Sequence, residues 1–107
     1  MGFSERPKYR AKRTTVHGQT FASKKEAKHY LIYRALEEAG QITDLKTQVG
    51  FKIVIRGKLI CSYFADFTFL DSKGVYCVVD VKGFRTPVYR IKKKLVEACH
   101  LIKIIEV

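Results

Sequence analysis

The chain of 107 residues carries 21 Lys and Arg against 10 Asp and Glu, a formal net charge of +11. This length suits one domain around a single core, and an apolar share of 47% argues against wholesale disorder. The charge excess points to a polyanionic partner, most often nucleic acid; no apolar run reaches the ~18 residues of a membrane span, and the basic N-terminus lacks the apolar stretch of a signal peptide.

Cys61, Cys77 and Cys99 are odd in number and far apart, with no CxxC pair and no His/Cys cluster at zinc spacing. Cys77 alternates with valines, as a small buried hydrophobe would. This usage suits a reduced, intracellular protein.

The opening "MGFSERPKYRAKRTT" places Arg6, Lys8, Arg10, Lys12 and Arg13 among small and polar residues without an apolar period. It reads as a mobile basic arm over residues 1–15, followed by a single domain over 16–107. "SKKEAKHYLIYRALEEAG" predicts a helix. Ser23 is a good N-cap, Glu26 completes a capping box, and Gly40 sits where a left-handed C-terminal residue belongs. Ala27, Tyr30, Leu31 and Ala35 form its expected apolar stripe. After "QITDLKTQ", the run "VGFKIVI" predicts a strand, and Gly57 in "RGKL" suits a two-residue hairpin turn. A second strand spans Leu59 to Leu70, and a third, after "DSKG", spans Val75 to Lys82. "FRTPVYRIKKKLVEACH" predicts a second helix with Thr86 as N-cap and Pro87 in its first position. Its expected core face is Val88, Ile91, Leu95 and Ala98. "LIKIIEV" closes the chain as a strand. A helix between the last two strands permits a parallel crossover, so an α/β fold on a mixed sheet follows.

The hairpin "FADFTFLDSKGVYCVVDVKG" decides whether two aspartates meet. A three-residue turn of Ser72, Lys73 and Gly74 opposes Asp71 to Val75, Phe69 to Cys77, Phe67 to Val79, Asp66 to Asp80 and Ala65 to Val81. That register yields one wholly apolar face and puts Asp66, Asp80 and Lys82 on the other. Opposed residues have Cβ atoms about 4.5–5.5 Å apart, so the two carboxylates repel unless they share a proton or a cation. Either aspartate alone reads as a solvated strand end. The pair with a lysine, on so basic a chain, favours a hard divalent ion such as Mg²⁺, for which two carboxylates and a backbone carbonyl suffice.

These residues resemble the PD-(D/E)XK nuclease signature, with "ADF" supplying the first aspartate and "DVK" the second half. The fuller run "FASKKEA…Q…YFADF…VVDVKGFRTPVYRIKKKL" resembles a family of small bacteriophage proteins assigned to that superfamily, from about Phe21 onward. Ala65 stands where the nominal proline would be. The resemblance implies an αβββαβ restriction-endonuclease-like core, a mixed sheet flanked by helices. It also implies a DNA endonuclease using Mg²⁺, with Mn²⁺ substituting, and no small-molecule cofactor. Asp66, Asp80 and the Val81 carbonyl would hold the metal. Glu26 would serve a second metal or a metal-bound water, although the capping box explains a glutamate there equally well. Lys82 would orient the attacking water and offset charge on the phosphorane, since lysine is a poor base at neutral pH. Gln48 matches a residue at the edge of the family's site.

Arg10, Lys12, Arg13, Gln48, Arg85, Thr86, Tyr89, Lys92 and Lys93 are the expected nucleic-acid contacts, several of them at a helix N-terminus suited to phosphate. With no second domain to read bases, recognition of DNA shape is expected. The leading role is a Holliday-junction resolvase acting as a homodimer in the cytoplasm of a bacterial host, with Tyr30, Ile32, Tyr33 and Leu36 offering apolar surface for the dimer. The alternatives are a non-catalytic nucleic-acid-binding protein and a monomeric nicking or flap nuclease of phage replication or packaging.

Overall fold

The computed structural model describes residues 13–82 and 85–107. The chain runs β1 (Thr14–Val16), β2 (Gln19–Phe21), α1 (Lys24–Glu38), β3 (Thr43–Ile55), β4 (Lys58–Leu70), β5 (Tyr76–Asp80), α2 (Pro87–His100) and β6 (Ile104–Glu106). β1 and β2 pair only with each other, while the other four strands form one sheet in the order β3-β4-β5-β6. The first three are antiparallel neighbours, and β6 runs parallel to β5 after the α2 crossover. The class is therefore α/β on a mixed four-stranded sheet with two helices. Among the described residues, no helix is long and apolar enough to cross a membrane.

Arg10 and Lys12, expected in the basic arm, lie outside the described residues. The arm's expected boundary after residue 15 moves, because Thr14 and Thr15 belong to β1. His17 and Gly18 both have positive φ, 51° and 80°, the two-residue turn whose twist matches a hairpin. β3 likewise begins six residues before "VGFKIVI" and absorbs most of the expected loop.

The helices start where their caps require. Ser23 Oγ accepts from the Glu26 amide at 3.1 Å, and Thr86 Oγ1 accepts from the Tyr89 amide at 3.1 Å. Their buried faces, however, are rotated from expectation. On α1 the core takes Ala27, Tyr30, Tyr33 and Leu36, while Leu31 and Ala35 point outward. Tyr33 accounts for this, since its ring sits 5.2 Å from Phe67 and 5.0 Å from Phe69. Of the four residues expected to offer dimer surface, only Ile32 stays exposed. On α2 the core takes Tyr89 and Val96 with Leu95, whereas Val88 and Ile91 are 63% and 60% exposed and Ala98 is exposed as well. Lys92 and Lys93 lie half-buried on that inner face because their heads find partners, the Ser62 carbonyl and Glu106.

The β4–β5 hairpin keeps the expected register from Phe67 to Leu70, but the ladder ends there, and the expected Asp66–Asp80 and Ala65–Val81 pairs fall beyond it, with Ala65 and Val81 in different cores. Phe67 pairs with Val79, Phe69 with Cys77, and the Asp71 amide bonds the Val75 carbonyl at 2.9 Å. Gly74 supplies the left-handed turn residue. On β5, Val78 packs beneath α2 and Val79 beneath α1, so the two helices cover opposite faces. The expected apolar face is broken at one residue. Alternation would place Tyr63, Ala65, Phe67 and Phe69 together. Instead Tyr63 and Ala65 join the α2 core, and Phe67 and Phe69 join the α1 core. β3 switches at the same level, with Leu45 under α1 but Phe51 and Ile53 under α2. The pairs Thr47–Phe67 and Val49–Ala65 bracket Gln48 and Asp66. Gln48 has φ of 53°, and a left-handed residue inside a strand interrupts its two-residue alternation.

Phe67 is fully buried against Tyr30, Tyr33 and Phe21. Phe67→Ala is expected to cost ~3–5 kcal/mol, read as a lower urea midpoint at unchanged slope. A midpoint within ~0.5 kcal/mol of wild type, the range of ordinary surface substitutions, would contradict this packing.

Candidate functional site

The alternation break places three carboxyl groups from three elements together. Glu26, in the first turn of α1, is buried, as is Asp80 at the end of β5. Asp66, at the break in β4, is half-buried and close enough to both for their charges to act on one another. Gln48 bridges the cluster: its Nε2 donates to Glu26 Oε2 at 3.0 Å and to Asp66 Oδ1 at 3.2 Å. The Val81 amide donates to Asp66 Oδ2 at 2.8 Å. Tyr63 donates its hydroxyl proton to Asp80 Oδ2. Lys82 Nζ stands 3.2 Å from Asp80 Oδ1 and 3.9 Å from the centre of the Tyr89 ring.

These contacts set the proton affinities. Burial, with Asp80 and Glu26 close by, pushes the Asp66 carboxyl up to about 7. Burial also raises Glu26, against the pull of Gln48 and the Ala22 backbone. Burial and the Asp80 carboxylate push the Tyr63 hydroxyl well above its usual range. Glu106 is the opposite case. Hydrogen bonds from Arg85 and Tyr89, with Lys93 nearby, hold it down to about 2.

A cleft of ≈ 640 Å³ opens over the cluster, and Lys25, Phe64, Lys82, Thr86, Val88 and Lys92 are among the residues lining it. Glu26, Asp66, Asp80, Val81 and Lys82, the expected catalytic and metal residues, all border this cleft. Of the expected nucleic-acid contacts, Thr86, Tyr89 and Lys92 line it too, and Gln48 reaches its carboxylates. Arg85 and Lys93 are instead drawn to Glu106, at 2.8 and 3.4 Å. Arg13 is exposed just before β1. The cap contact of Glu26 is made by its main-chain amide, on Ser23 Oγ, while its carboxylate accepts from the Gln48 amide of β3. Among the described residues, no group of three or more His, Cys, Asp or Glu side chains forms a ready cage for a metal ion.

Three participants escape sequence reasoning. Tyr63 lies three residues before Asp66, so alternation assigns it to the opposite face; only the break brings it to Asp80. Lys25 Nζ donates to the Lys82 carbonyl at 2.9 Å, a long-range contact with no local signal. Glu106 is the third, and the one available hint was an acidic residue closing a strand in so basic a chain.

The chain belongs to the family described as "Protein of unknown function (DUF1064)", whose model matches residues 6–104. No curated protein and no solved structure matches it.

The raised Asp66 value has a sign that can be measured. Between its ordinary 3.8 and about 7, the folded protein holds a proton that the unfolded chain releases. Its contribution to stability is therefore complete below about pH 4 and lost as pH rises through 7. Asp66→Asn is expected to flatten the melting curve's pH dependence across that window. At pH 8 without metal it should melt higher than wild type, by roughly 4–8 °C for each kcal/mol of repulsion removed. An unchanged pH profile would show that Asp66 titrates normally.

Proposed function

We propose that this chain is a metal-dependent DNA endonuclease with the αβββαβ core of the PD-(D/E)XK nucleases. The observation that carries this reading is the meeting of Asp66, Asp80, Glu26 and Lys82 in one cleft of a protein with net charge +11. The run α1-β3-β4-β5-α2-β6 supports it. The donor set fits a hard divalent ion: carboxylate oxygens crowd together at the cost of a raised Asp66. Mg²⁺ keeps several waters and needs only one or two carboxylates, so a closed cage is not required. Asp66, Asp80 and the Val81 main chain would hold the ion, with Glu26 beside them.

When bound, such an ion supplies Lewis-acid polarisation of the phosphate and acidifies water at neutral pH. The protein's own groups do the rest. Gln48 fixes the mutual orientation of Glu26 and Asp66, and Tyr63 fixes Asp80. The Tyr89 ring holds the Lys82 ammonium at the cleft, where it orients the attacking water and offsets the charge gathering on the phosphoryl oxygens. Lys25 of α1 and Lys92 of α2 both line the cleft. Their bonded partners are neutral carbonyls, so their charges remain available to phosphates. The substrate we assign is branched DNA, cut as a resolvase cuts a four-way junction, by a homodimer whose two sites act on opposing strands.

A non-catalytic DNA-binding protein is the second reading, favoured by the full satisfaction of Asp80 by Tyr63 and Lys82. Asp66→Asn, Asp80→Asn and Lys82→Ala are each expected to abolish Mg²⁺-dependent cleavage while leaving DNA binding within a few-fold. Glu26→Gln, which keeps the bond geometry, should also lose activity. Mg²⁺ or Mn²⁺ should raise the melting temperature of wild type but not of the aspartate variants. Wild-type protein that binds DNA with neither cleavage nor metal stabilisation would establish the second reading. Equal cleavage of linear and four-way DNA by a monomer would remove the junction assignment alone.

Salt dependence separates the cations. Lys25→Ala and Lys92→Ala should each shallow the log–log salt slope of duplex binding by ~0.9 for every phosphate left without its cation. Arg85→Ala and Lys93→Ala should change it less, because the two share the Glu106 carboxylate, whose single charge offsets part of theirs. The reverse ranking would place phosphate beside Glu106, at Arg85 and Lys93.

A further inference from the structure

The cleft carries an apolar feature that phosphodiester chemistry does not use. Phe64, on β4 two residues before Asp66, is 60% exposed and lines the cleft with the carboxylates. A phenyl ring this exposed beside buried charges has no role in either core. Its seat is built: Phe64 pairs with Gly50 across the β3–β4 ladder, and a Cβ at Gly50 would lie 2.9 Å from Phe64 Cε1. The ring therefore rests against the bare backbone of β3. Val88, 63% exposed at the start of α2, lines the same cleft.

Resting on the reading that this cleft receives DNA, we infer that Phe64 is a stacking platform for an unpaired base next to the phosphate at Asp66 and Asp80. The substrate class is then DNA with an unstacked nucleotide at the cutting position, as at a branch point, flap or bulge. Every base offers a π-face to such a ring, so the contact is independent of sequence. Charge selects this occupant over a second copy of the chain. Two chains of +11 each would bring Lys25, Lys82 and Lys92 against like charges, whereas a polyanion complements them. In an intact duplex, bases are stacked within the helix and offer no face to Phe64.

The test measures binding without metal, so it does not depend on cleavage. Duplexes with and without one unpaired fluorescent base, whose emission is quenched on stacking, are titrated with wild type, Phe64→Ala, Phe64→Tyr and Gly50→Ala. Wild type should bind the unpaired site more tightly and quench it. Phe64→Ala should lose ~5–150-fold in affinity for the unpaired site, the range of base–aromatic stacking, with little change for intact duplex. Phe64→Tyr should retain the preference. Gly50→Ala, which displaces the ring without removing it, should weaken it. Equal affinity for both DNAs, or an unpaired preference that survives Phe64→Ala, would overturn the inference while leaving the nuclease reading intact. So would a wild-type dimer that Phe64→Ala turns into a monomer, since a second copy would then occupy the ring. Absence of binding to either DNA would overturn the nuclease reading and this inference together.

Discussion

Three carboxyl groups with little access to water converge at the seam between the two cores, and much of the surrounding structure serves to make that tolerable. Removing a carboxylate from water is costly unless donors replace the lost hydration. Here the donors come from separate elements: Gln48 from β3, Tyr63 from β4, and the Val81 amide and Lys82 from the end of β5. Among the described residues, no buried side-chain nitrogen or oxygen lacks a partner. Hydrogen bonds do not fully replace the lost hydration, so burial, with a smaller addition from the neighbouring carboxylates, makes Asp66 and Glu26 hold their protons more tightly than ordinary carboxyls.

The left-handed backbone at Gln48 interrupts the alternation of β3, which serves α1 along its first half and α2 along its second. β4 changes faces at the same level, so Tyr63 leaves the core that holds Phe67 and reaches Asp80. The strain of a non-glycine residue at positive φ is modest. It is offset by the two hydrogen bonds that the same residue's side chain makes to Glu26 and Asp66. The residue that bends the strand also bridges the acids the bend brings together.

Much of this architecture is legible in the sequence, and the limits are physical. The caps at Ser23 and Thr86, the turn at Gly74 and the β4–β5 register follow from local rules, because each is decided by a few adjacent residues. The rotation of α2 is not local. Val88, Ile91 and Ala98 have the spacing of a buried stripe, but Tyr89 wins the inner face because its hydroxyl reaches Glu106 at 2.6 Å while its ring carries Lys82. Glu106 is 17 residues further along the chain, so no periodicity foretells the contact. The site was readable in part for the same reason. Asp66, Asp80 and Lys82 are tied by strand register, whereas Tyr63 depends on a break that propensity does not announce and Lys25 on a partner 57 residues away.

The rotation of α2 also sorts the positive charges. Arg85 and Lys93 converge on Glu106, which holds the C-terminal strand to the helix start and offsets part of their combined charge. Lys25 and Lys92 are held just as firmly, at 2.9 and 3.1 Å, but by main-chain carbonyls that carry no net charge. Ordering a lysine side chain costs rotamer entropy, and here that cost is met in folding. The cleft consequently presents two ammonium groups whose bonded partners are neutral, together with a carboxylate cluster that repels anions. A phosphate can be drawn to the lysines, yet its approach to the acids is opposed until their charge is offset. The local field in the cleft is set by where these opposing charges sit rather than by the total of +11.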